Sequence, residues 1–257
     1  MDRLDRKVAV VTGGGSGIGR ATAVAFALAG ARVVVAGRRR KEGEETVRLV
    51  EDAEGEALFV QTDVSRAKDV EALTARVLEA YGRLDYACNS AGIVEPEALL
   101  VDGAEEDFDR TIGVNLKGVW LCMKYEIPAM RRGGGGAIVN ISSLNAVKAA
   151  PTAPFYSASK AGVDSLTKSA ALSYAKDGVR VNAIDAGAFR TPMLEGVLDR
   201  VSGGDVETTA AQYAAAIPLG RIGHPDEIAR AVVWLCSDAA SYITGHMLAV
   251  DGGLRAT

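Results

Sequence analysis

The sequence has few of the residues that build disulfide frameworks and metal centres. Of its 257 residues, three are cysteines and two are histidines. Cys88, Cys122 and Cys236 lie far apart in the chain, and His224 and His246 show no metal-ligand spacing. The sequence therefore predicts neither a disulfide scaffold nor a metal site, and it favours a reducing, cytoplasmic location. Both histidines are interpreted as turn residues.

The sequence also lacks a long apolar run and a strong excess of one charge. Charged residues or glycines interrupt every apolar stretch before it is long enough to cross a bilayer. The charged N-terminal residues lead directly into a predicted strand, so we expect no signal peptide. The net charge of -4 gives no general attraction to nucleic acid or to an anionic membrane. We therefore expect a small-molecule ligand, with no nucleic-acid or membrane partner.

Short apolar runs alternate along the chain with segments of helical periodicity. The length and the 48% hydrophobic content suit one large α/β domain. Strands are predicted at 8–11, 32–36, 56–61, 84–88, 137–141, 179–184 and 247–250, and helices at 20–29, 41–54, 66–81, 104–130, from 154 onward and at 225–237. This alternation predicts a Rossmann-type, doubly wound parallel sheet with helices on both faces, as a single domain over 1–257. Segment 188–218 is predicted to be irregular and to form a substrate-binding lid within that domain.

A glycine-rich turn joins the first predicted strand to the first predicted helix. It reads Thr-Gly-Gly-Gly-Ser-Gly-Ile-Gly over 12–19. Glycines let a ligand approach the backbone closely, and a helix N-terminus offers free N–H groups and the positive end of a dipole. The turn therefore predicts a phosphate-binding cradle for a dinucleotide, although the spacing of Gly13, Gly17 and Gly19 is not the best-known G-x-G-x-x-G fingerprint.

Four consecutive cations follow the second predicted strand. In NAD-binding sheets of this kind an acid near that point binds the ribose hydroxyls, but here Gly37 leads into three arginines and a lysine, with no acid before Glu42. An arginine at this place suits the 2′-phosphate of NADP. We predict NADP, with NAD as the remaining possibility, and we expect Arg38 to be the main contact and Arg39 the second. A solvated charge run is the alternative interpretation.

Tyr156 and Lys160 stand four residues apart in a helix that opens at Pro154. This spacing places both side chains on one face. A cation ~4 Å from a phenol, at an effective dielectric of ~20, contributes ~4 kcal/mol, enough to bring a tyrosine pKa of ~10 to about 7. We therefore interpret Tyr156 as a general acid and base that Lys160 activates. A helical tyrosine beside a surface lysine would show the same spacing.

These patterns together resemble those of the short-chain dehydrogenase/reductase family. The glycine turn matches the family's T-G-x-x-x-G-x-G, Tyr156 and Lys160 match its Y-x-x-x-K, and Ser143 precedes Tyr156 by 13 residues. The match covers nearly the whole chain, from Thr12 to Gly253. The resemblance implies that Asn115, Ser143, Tyr156 and Lys160 are the catalytic residues, with Asn115 holding a water near Lys160.

The resemblance also implies which residues bind the cofactor and the substrate. The expected cofactor contacts are Gly13, Ser16, Gly17, Ile18, Gly19, Arg38, Arg39, Asp63, Val64, Asn89, Ala91, Gly92, Tyr156, Lys160, Gly187, Phe189 and Thr191. The expected substrate pocket contains Val94, Asn145, Phe155, Ala188 and Met193. Two residues depart from the family pattern: Ser90 replaces a second asparagine, and Ala186 replaces a proline beneath the nicotinamide segment.

The expected activity is hydride transfer between NADP(H) and a carbonyl or secondary alcohol of a small molecule. One alternative is a 3-oxoacyl-carrier-protein reductase, for which Arg131 and Arg132 could bind the acidic carrier, although Asp177 stands where those reductases tend to carry a basic residue. An inactive NAD(P)-binding regulator is an alternative of another class. The family typically forms homotetramers, for which Trp120, Leu121 and Leu166 are candidate contacts, although core packing explains these residues equally well.

Overall fold

The structure, a computed structural model, describes residues 4–257 and contains one parallel sheet of seven strands. The spatial order is β3-β2-β1-β4-β5-β6-β7. The strands are β1 Val8–Thr12, β2 Arg32–Gly37, β3 Ala57–Gln61, β4 Tyr86–Asn89, β5 Gly136–Ile141, β6 Val179–Ala186 and β7 Met247–Val250. The doubly wound parallel α/β fold predicted from the alternating pattern is therefore confirmed.

Nine α-helices cover the two faces of the sheet in the described part of the chain. They are α1 Gly17–Leu28, α2 Arg40–Asp52, α3 Ala67–Tyr81, α4 Glu105–Ile112, α5 Gly118–Arg132, α6 Pro154–Tyr174, α7 Pro192–Val201, α8 Val206–Ala215 and α9 Pro225–Cys236. No helix within residues 4–257 is both long and apolar enough to cross a membrane.

Side chains that alternate along the strands build a separate core on each face of the sheet. Ala9 and Val11 pack on the face covered by α1 and α9, with Phe26 and Ile228 as large fully buried partners. Val8 and Val10 point to the opposite face, where α3, α5 and α6 cover the sheet. Because both faces are buried, the strands read as continuous apolar runs rather than as alternating ones.

The strand order reverses between β1 and β4. The chain winds outward from β1 through β2 to β3, and then returns so that β4 pairs with the other side of β1. The loops after β1 and β4 therefore leave the sheet side by side at its carboxyl edge. Ligands of open α/β sheets bind at such a switch point.

Two regions differ from the sequence prediction. The predicted helix over 104–130 is interrupted by a π-helical turn, Gly113–Lys117, between α4 and α5. Segment 188–218, predicted to be irregular, contains α7 and α8, so that prediction is wrong. Each helix has a side-chain cap: the Thr191 hydroxyl accepts a hydrogen bond from the Leu194 N–H at 3.2 Å, and the Asp205 carboxylate accepts one from the Thr208 N–H at 3.1 Å.

The two histidines lie directly before secondary-structure elements, His224 before α9 and His246 before β7. His224 is the N-cap of α9, where its Nδ1 accepts a hydrogen bond from the Asp226 N–H and its own N–H donates to Glu227 at 2.8 Å. His246 lies in the connection immediately before β7. No group of three or more metal-ligating side chains occurs within residues 4–257.

Candidate active site

A deep cleft opens at the carboxyl edge of the sheet, where the strand order reverses. Its volume is about 580 Å³, and the segments that follow β1, β2, β3, β4, β5 and β6 all contribute to its walls. Pockets of this size hold cofactors and small-molecule ligands in other proteins. The cleft therefore gathers residues that are far apart in the sequence.

The glycine turn after β1 forms one end of the cleft. Gly13 has a left-handed φ of 67°, and a Cβ there would lie 2.8 Å from the backbone of Ala91. A larger residue would therefore force apart the loops after β1 and β4. Ser16, the N-cap of α1, makes no side-chain hydrogen bond to the helix, and the first turn of α1 contains no acid. The free N–H groups and the helix dipole are thus available to an anion.

Arg38 and Arg39 border the same end of the cleft. Arg39 donates to the Ser16 hydroxyl at 3.1 Å and forms an ion pair with Glu42 at 3.6 Å. No carboxylate within residues 4–257 forms an ion pair with the exposed Arg38 guanidinium. Burial raises the pKa of Asp63, but hydrogen bonds from Ser65 and the charge of Arg38 more than offset this and hold that pKa below its ordinary value. A cluster of positive charge therefore lies where the second strand ends.

Tyr156 lies on the first turn of α6 and faces the middle of the cleft, together with Ser143 from the end of β5. Burial raises the pKa of Tyr156, and the nearby Ser143 hydroxyl opposes that shift by hydrogen bonding to the phenol. The charge of Glu95 and the hydroxyl of Tyr213 raise the pKa further. Tyr156 therefore holds its proton more tightly than a free tyrosine does, which differs from the lowering that its spacing to Lys160 predicts.

Lys160 is buried one helical turn beyond Tyr156. Its Nζ donates to the Ile141 carbonyl at 2.7 Å and lies 5.5 Å from the centroid of the Tyr156 ring. Burial lowers the pKa of Lys160 to about 8, although the charge of Asp164 acts in the opposite direction. Lys160 therefore remains mostly charged at neutral pH and loses its charge in mildly basic solution.

Asn115 lies in the π-helical turn rather than on the cleft wall. Its Oδ1 accepts from the Ile93 N–H and its Nδ2 donates to the Ile93 carbonyl, both at 2.8 Å. Nδ2 also lies 3.1 Å from the Ser159 hydroxyl. A Cβ on Gly92 would lie 3.4 Å from Asn115 Oδ1 and 3.6 Å from Lys160 Nζ, so both polar groups approach the same point of the backbone. π-helical turns occur frequently at functional sites.

Most of the predicted site residues line the cleft. These are Gly13, Ser16, Gly17, Ile18, Gly19, Arg38, Arg39, Asp63, Val64, Ala91, Gly92, Val94, Ser143, Asn145, Tyr156, Lys160, Gly187, Ala188, Phe189, Thr191 and Met193. The sequence could not identify the contributions of Tyr213, Leu254 and Arg200, because they depend on how the C-terminal third of the chain folds back over the sheet.

Besides Asn115, two other predicted residues do not line the cleft. Phe155 was expected in the substrate pocket, but its ring packs edge-on against Phe108 with the centroids 5.3 Å apart. Neighbouring helical residues point about 100° apart, so Tyr156 can face the cleft only if Phe155 faces α4. Asn89 is fully buried, and its Nδ2 donates to Glu126 and to Asn140, each at 3.0 Å. Its side chain therefore cannot bind a cofactor in the cleft.

Comparison with known proteins identifies the family. A family model described as Enoyl-(Acyl carrier protein) reductase matches residues 13–255. Together with the parallel sheet and the relatives that follow, this match places the protein among the nicotinamide-dependent oxidoreductases. The chain belongs to the short-chain dehydrogenase/reductase family.

Similar proteins match over essentially the whole chain. The 2,5-dichloro-2,5-cyclohexadiene-1,4-diol dehydrogenase of Sphingobium indicum is 43% identical over 258 residues, which cover 100% of both chains. The 3-oxoacyl-[acyl-carrier-protein] reductase FabG of Thermotoga maritima is 41% identical over 255 residues, 98% of this chain and 99% of the relative. The crystal structure of levodione reductase superposes with a TM-score of 0.97 at 34% identity, covering 99% of this chain and 100% of that one.

Proposed function

We propose that the protein is an NADP-dependent enzyme that interconverts a carbonyl and a secondary alcohol on a small molecule. The observation that carries this proposal is the convergence of Ser143, Tyr156 and Lys160 in the cleft that also contains the glycine cradle. A nicotinamide cofactor bound there would supply the hydride in reduction and accept it in oxidation. The protein then has to orient the carbonyl group and to move one proton.

The residues of the cleft fit such a cofactor. The glycine turn and the free N–H groups of α1 would hold the pyrophosphate, and Asp63 with Val64 would border the adenine end. The backbone of Ala91 and Gly92 would follow the middle of the molecule. Gly187, Phe189 and Thr191 would border the nicotinamide end, where Ala186 replaces the usual proline, and Lys160 would hold the nicotinamide ribose.

Ser143 and Tyr156 would bind the substrate oxygen, and Tyr156 would protonate it. In reduction, both hydroxyls would donate hydrogen bonds to the carbonyl oxygen, where negative charge develops as the carbon gains a hydride. Tyr156 would then transfer its proton to that oxygen, so that an alcohol forms and a phenolate remains. Burial of Tyr156 keeps the phenol protonated at neutral pH, which suits a general acid.

Lys160 would stabilise the phenolate form of Tyr156. Its charge lies near the ring and favours the ionised phenol, whereas burial of the ring favours the neutral phenol. We propose that Lys160 limits the rise in the pKa of Tyr156 that burial alone would cause. Asn115, which approaches Gly92 at the same point as Lys160 does, would hold a water that passes the proton from Lys160 to solvent.

The arrangement of cations after β2 supports NADP over NAD. α2 begins at Arg40 with Arg39 as its N-cap and without a capping side-chain hydrogen bond. Cations at a helix N-terminus are unfavourable by roughly 0.3–1 kcal/mol each unless an anion balances them. A 2′-phosphate would provide that anion beside Arg38, which has no ion-pair partner within residues 4–257. Glu42 is held by Arg39, which leaves this acid less suited to binding ribose hydroxyls.

Arg38→Ala tests the cofactor preference. We expect affinity for NADP to fall by ~1.5–3 kcal/mol, the order of a charged hydrogen bond, while affinity for NAD changes little. Arg40→Ala is the matched control, because it removes the same charge only two residues away. Arg40 is already paired with Glu44 at 3.2 Å, so it should not be needed by the cofactor. Fluorescence titration of both cofactors provides the measurement. An equal loss for both cofactors in Arg38→Ala, or a wild-type preference for NAD, would contradict the proposal.

We propose a compact cyclic alcohol or ketone as the substrate. Apolar side chains line the same cleft as Ser143 and Tyr156; they include Val94, Leu144, Met193, Val197, Val201 and Leu254. Since α7 supplies Met193, Val197 and Val201 and α8 supplies Tyr213, residues 188–218 would form the substrate lid. A relative named for a cyclohexadiene diol points to the same substrate class. A panel of cyclic and open-chain carbonyls, each tested with NADPH, distinguishes the two shapes.

A carrier-protein reductase is among the similar proteins, but the surface of this protein gives the carrier-protein alternative little support. Arg131, one of the two arginines expected to bind an acidic carrier, forms an ion pair with Asp177 at 2.9 Å. The ion pair of Arg131 with Asp177 presents little net charge to an acidic partner. Reduction of a carrier-bound 3-oxoacyl group at a rate exceeding that of every cyclic ketone would instead favour this alternative. No NADPH oxidation with any carbonyl, despite tight binding, would favour the inactive regulator.

We also propose a homotetramer in which the outer faces of α5 and α6 take part. Trp120 on α5 and Leu172 on α6 are exposed at 45% and 86%. Leu121, an earlier candidate for this contact, is only 1% exposed and belongs to the core with Val64 and Val70. Light scattering at micromolar concentration tests this assembly directly.

A further inference from the structure

Glu95 is a buried acid that the proposed reaction does not use. It is only 2% exposed and lies in the loop that follows β4. Its Oε1 accepts hydrogen bonds from the backbone N–H groups of Phe155 and Tyr156, at 3.0 and 2.9 Å. These N–H groups belong to the first turn of α6 and have no acceptor within the helix. Glu95 therefore caps the catalytic helix from a different part of the chain.

The loop that carries Glu95 is fixed on both sides. Asn115 holds Ile93 through its N–H and its carbonyl, both at 2.8 Å. The Ala98 N–H donates to the Thr152 carbonyl at 3.1 Å, directly before α6. Hydrogen bonds at both ends of this short loop thus connect the π-helical turn to the backbone of Tyr156.

We propose that Glu95 is a positioning residue for the reaction: its carboxylate holds the first turn of α6 in place, and its negative charge favours the protonated form of Tyr156. The inference rests on the proposed role of Tyr156 as general acid. A carboxylate at this point neutralises the positive end of the α6 dipole, which would otherwise favour the phenolate. One side chain therefore contributes both to the position of Tyr156 and to its proton affinity.

Several other groups act on the Tyr156 phenol and must be separated from Glu95. Lys160 on the same helix favours the phenolate, as does the Ser143 hydroxyl, whereas Tyr213 from α8 acts in the same direction as Glu95. Arg200 and Glu97 also line the cleft. Because a single substitution at Glu95 leaves all of these unchanged, the difference between variants isolates its contribution.

Two substitutions separate the cap from the charge. In Glu95→Gln the amide oxygen can replace Oε1, so both backbone hydrogen bonds persist while the charge is lost. The amide nitrogen would occupy the place of Oε2, a buried atom that has no hydrogen-bond partner within residues 4–257. Glu95→Ala removes both the cap and the charge. Glu106→Gln, an exposed position in the first turn of α4, is the control for the change in net charge.

Ultraviolet titration of tyrosinate measures the effect of the charge. Each enzyme is compared with the same enzyme carrying Tyr156→Phe, so that the difference reports Tyr156 alone. We expect the midpoint of Tyr156 to move to lower pH by about one unit in Glu95→Gln, the order of the effect of removing one nearby charge in a buried site. The control should leave the midpoint in place. An unchanged midpoint in Glu95→Gln would overturn the electrostatic role.

Amide hydrogen exchange measures the effect of the cap. In Glu95→Ala the Phe155 and Tyr156 amides should exchange faster by about tenfold or more, the equivalent of one lost charged hydrogen bond, whereas Glu95→Gln should retain most of the protection. Unchanged exchange in Glu95→Ala would overturn the positioning role. If Glu95→Ala does not fold, Glu95→Asp replaces it, because its carboxylate sits one methylene further from the two N–H groups; unchanged exchange in that variant would likewise overturn the positioning role. Neither measurement needs a substrate or a cofactor, so both remain valid even if the proposed reaction is wrong.

Discussion

Burial acts on Tyr156 and Lys160 in the same sense, because it disfavours the charged form of each. It raises the pKa of the phenol and lowers that of the ammonium to about 8. The sequence spacing predicts that the two side chains share a helix face, and the structure places them there. Spacing alone contains no information about burial, which depends on strands β5 and β6 and on the C-terminal third of the chain. The direction of the Tyr156 shift was therefore beyond prediction from the sequence.

Lys160→Ala should shift the pH dependence of turnover. Removing a positive charge 5.5 Å from the Tyr156 ring centroid makes the phenolate harder to form. The basic limb of the reduction rate, along which the phenol loses its proton, should therefore move further upward, beyond the ordinary tyrosine value of ~10. Cofactor affinity should also fall, because Lys160 would no longer hold the ribose. Turnover as a function of pH provides the measurement.

Lys176→Ala is the control for this experiment, because Lys176 is exposed beyond the end of α6. A basic limb that stays in place after removal of Lys160 would show that Lys160 does not influence the ionisation of Tyr156.

At the scale of elements, the glycine turn before α1 is where sequence and structure agree most closely. The strand, the turn and the helix are found where the pattern predicts them, because each depends on local residues. Position 13 requires glycine for two reasons: its φ of 67° is left-handed, and a Cβ there would collide with the backbone of Ala91. The glycine in the sequence indicates the unusual φ, but the sequence does not show that Ala91 is the neighbour.

Gly13→Ala should weaken cofactor binding as well as the fold. The added methyl group would press against the backbone of Ala91 and displace the phosphate cradle. Gly203→Ala is the matched control: Gly203 has a similar φ of 59°, but no atom lies within 4 Å of its added Cβ. We expect both variants to lose about 1 kcal/mol of unfolding free energy from the φ penalty.

Only Gly13→Ala should also raise the Kd for NADP, by about tenfold or more, equivalent to ~1.4 kcal/mol of binding. Denaturant unfolding and a cofactor titration give both quantities. Equal cofactor affinity in the two variants would mean that the contact with Ala91 is unimportant for the cradle.

Helices α7 and α8 show where local patterns fail. Each is ten residues long, and the two glycines between them, with φ values of 59° and 105°, read in the sequence as part of one irregular stretch. Their caps, Thr191 and Asp205, are residues whose side chains also stabilise turns, so they do not mark a helix by themselves. The π-helical turn around Asn115 is another such case, since nothing in a continuous helical pattern marks an added residue in one turn.

At the scale of the whole molecule, the interior contains an acid whose ionisation opposes folding. Glu126 is 3% exposed, and its carboxylate accepts one hydrogen bond from Asn89 at 3.0 Å. Burial raises the pKa of Glu126 to about 7, although the Asn89 hydrogen bond opposes the shift. Because the folded pKa lies above the ordinary value of 4.5, the protonated acid stabilises the fold at low pH. This stabilisation is lost as the pH rises through about 7.

Glu126→Gln should remove part of the loss of stability between pH 5 and pH 9. The amide oxygen can accept the Asn89 hydrogen bond without ionising, so the variant should gain roughly 2–3 kcal/mol over wild type at pH 9 relative to pH 5. Asp164, whose pKa burial raises to about 6, titrates in the same range but contributes equally to both proteins. Denaturant unfolding at the two pH values gives the difference. The same pH dependence in both proteins would show that Glu126 does not titrate in this range.

The most direct test of the account compares Tyr156→Phe with Tyr213→Phe. Both substitutions remove one hydroxyl from the same cleft, but only Tyr156 is proposed to transfer the proton. With saturating NADPH and the best ketone of the panel, Tyr156→Phe should lose at least ~10³ in turnover. One lost donor typically contributes ~10²–10³ and the lost acid ~10²–10⁴, and the two effects overlap. Cofactor affinity should stay within about threefold of wild type, less than ~1 kcal/mol.

Tyr213→Phe should lose far less, because its hydroxyl would serve neither as proton donor nor as partner of Lys160. If Tyr156→Phe keeps more than about a tenth of wild-type turnover, less than ~1.4 kcal/mol of transition-state stabilisation has been lost, and Tyr156 is not the general acid.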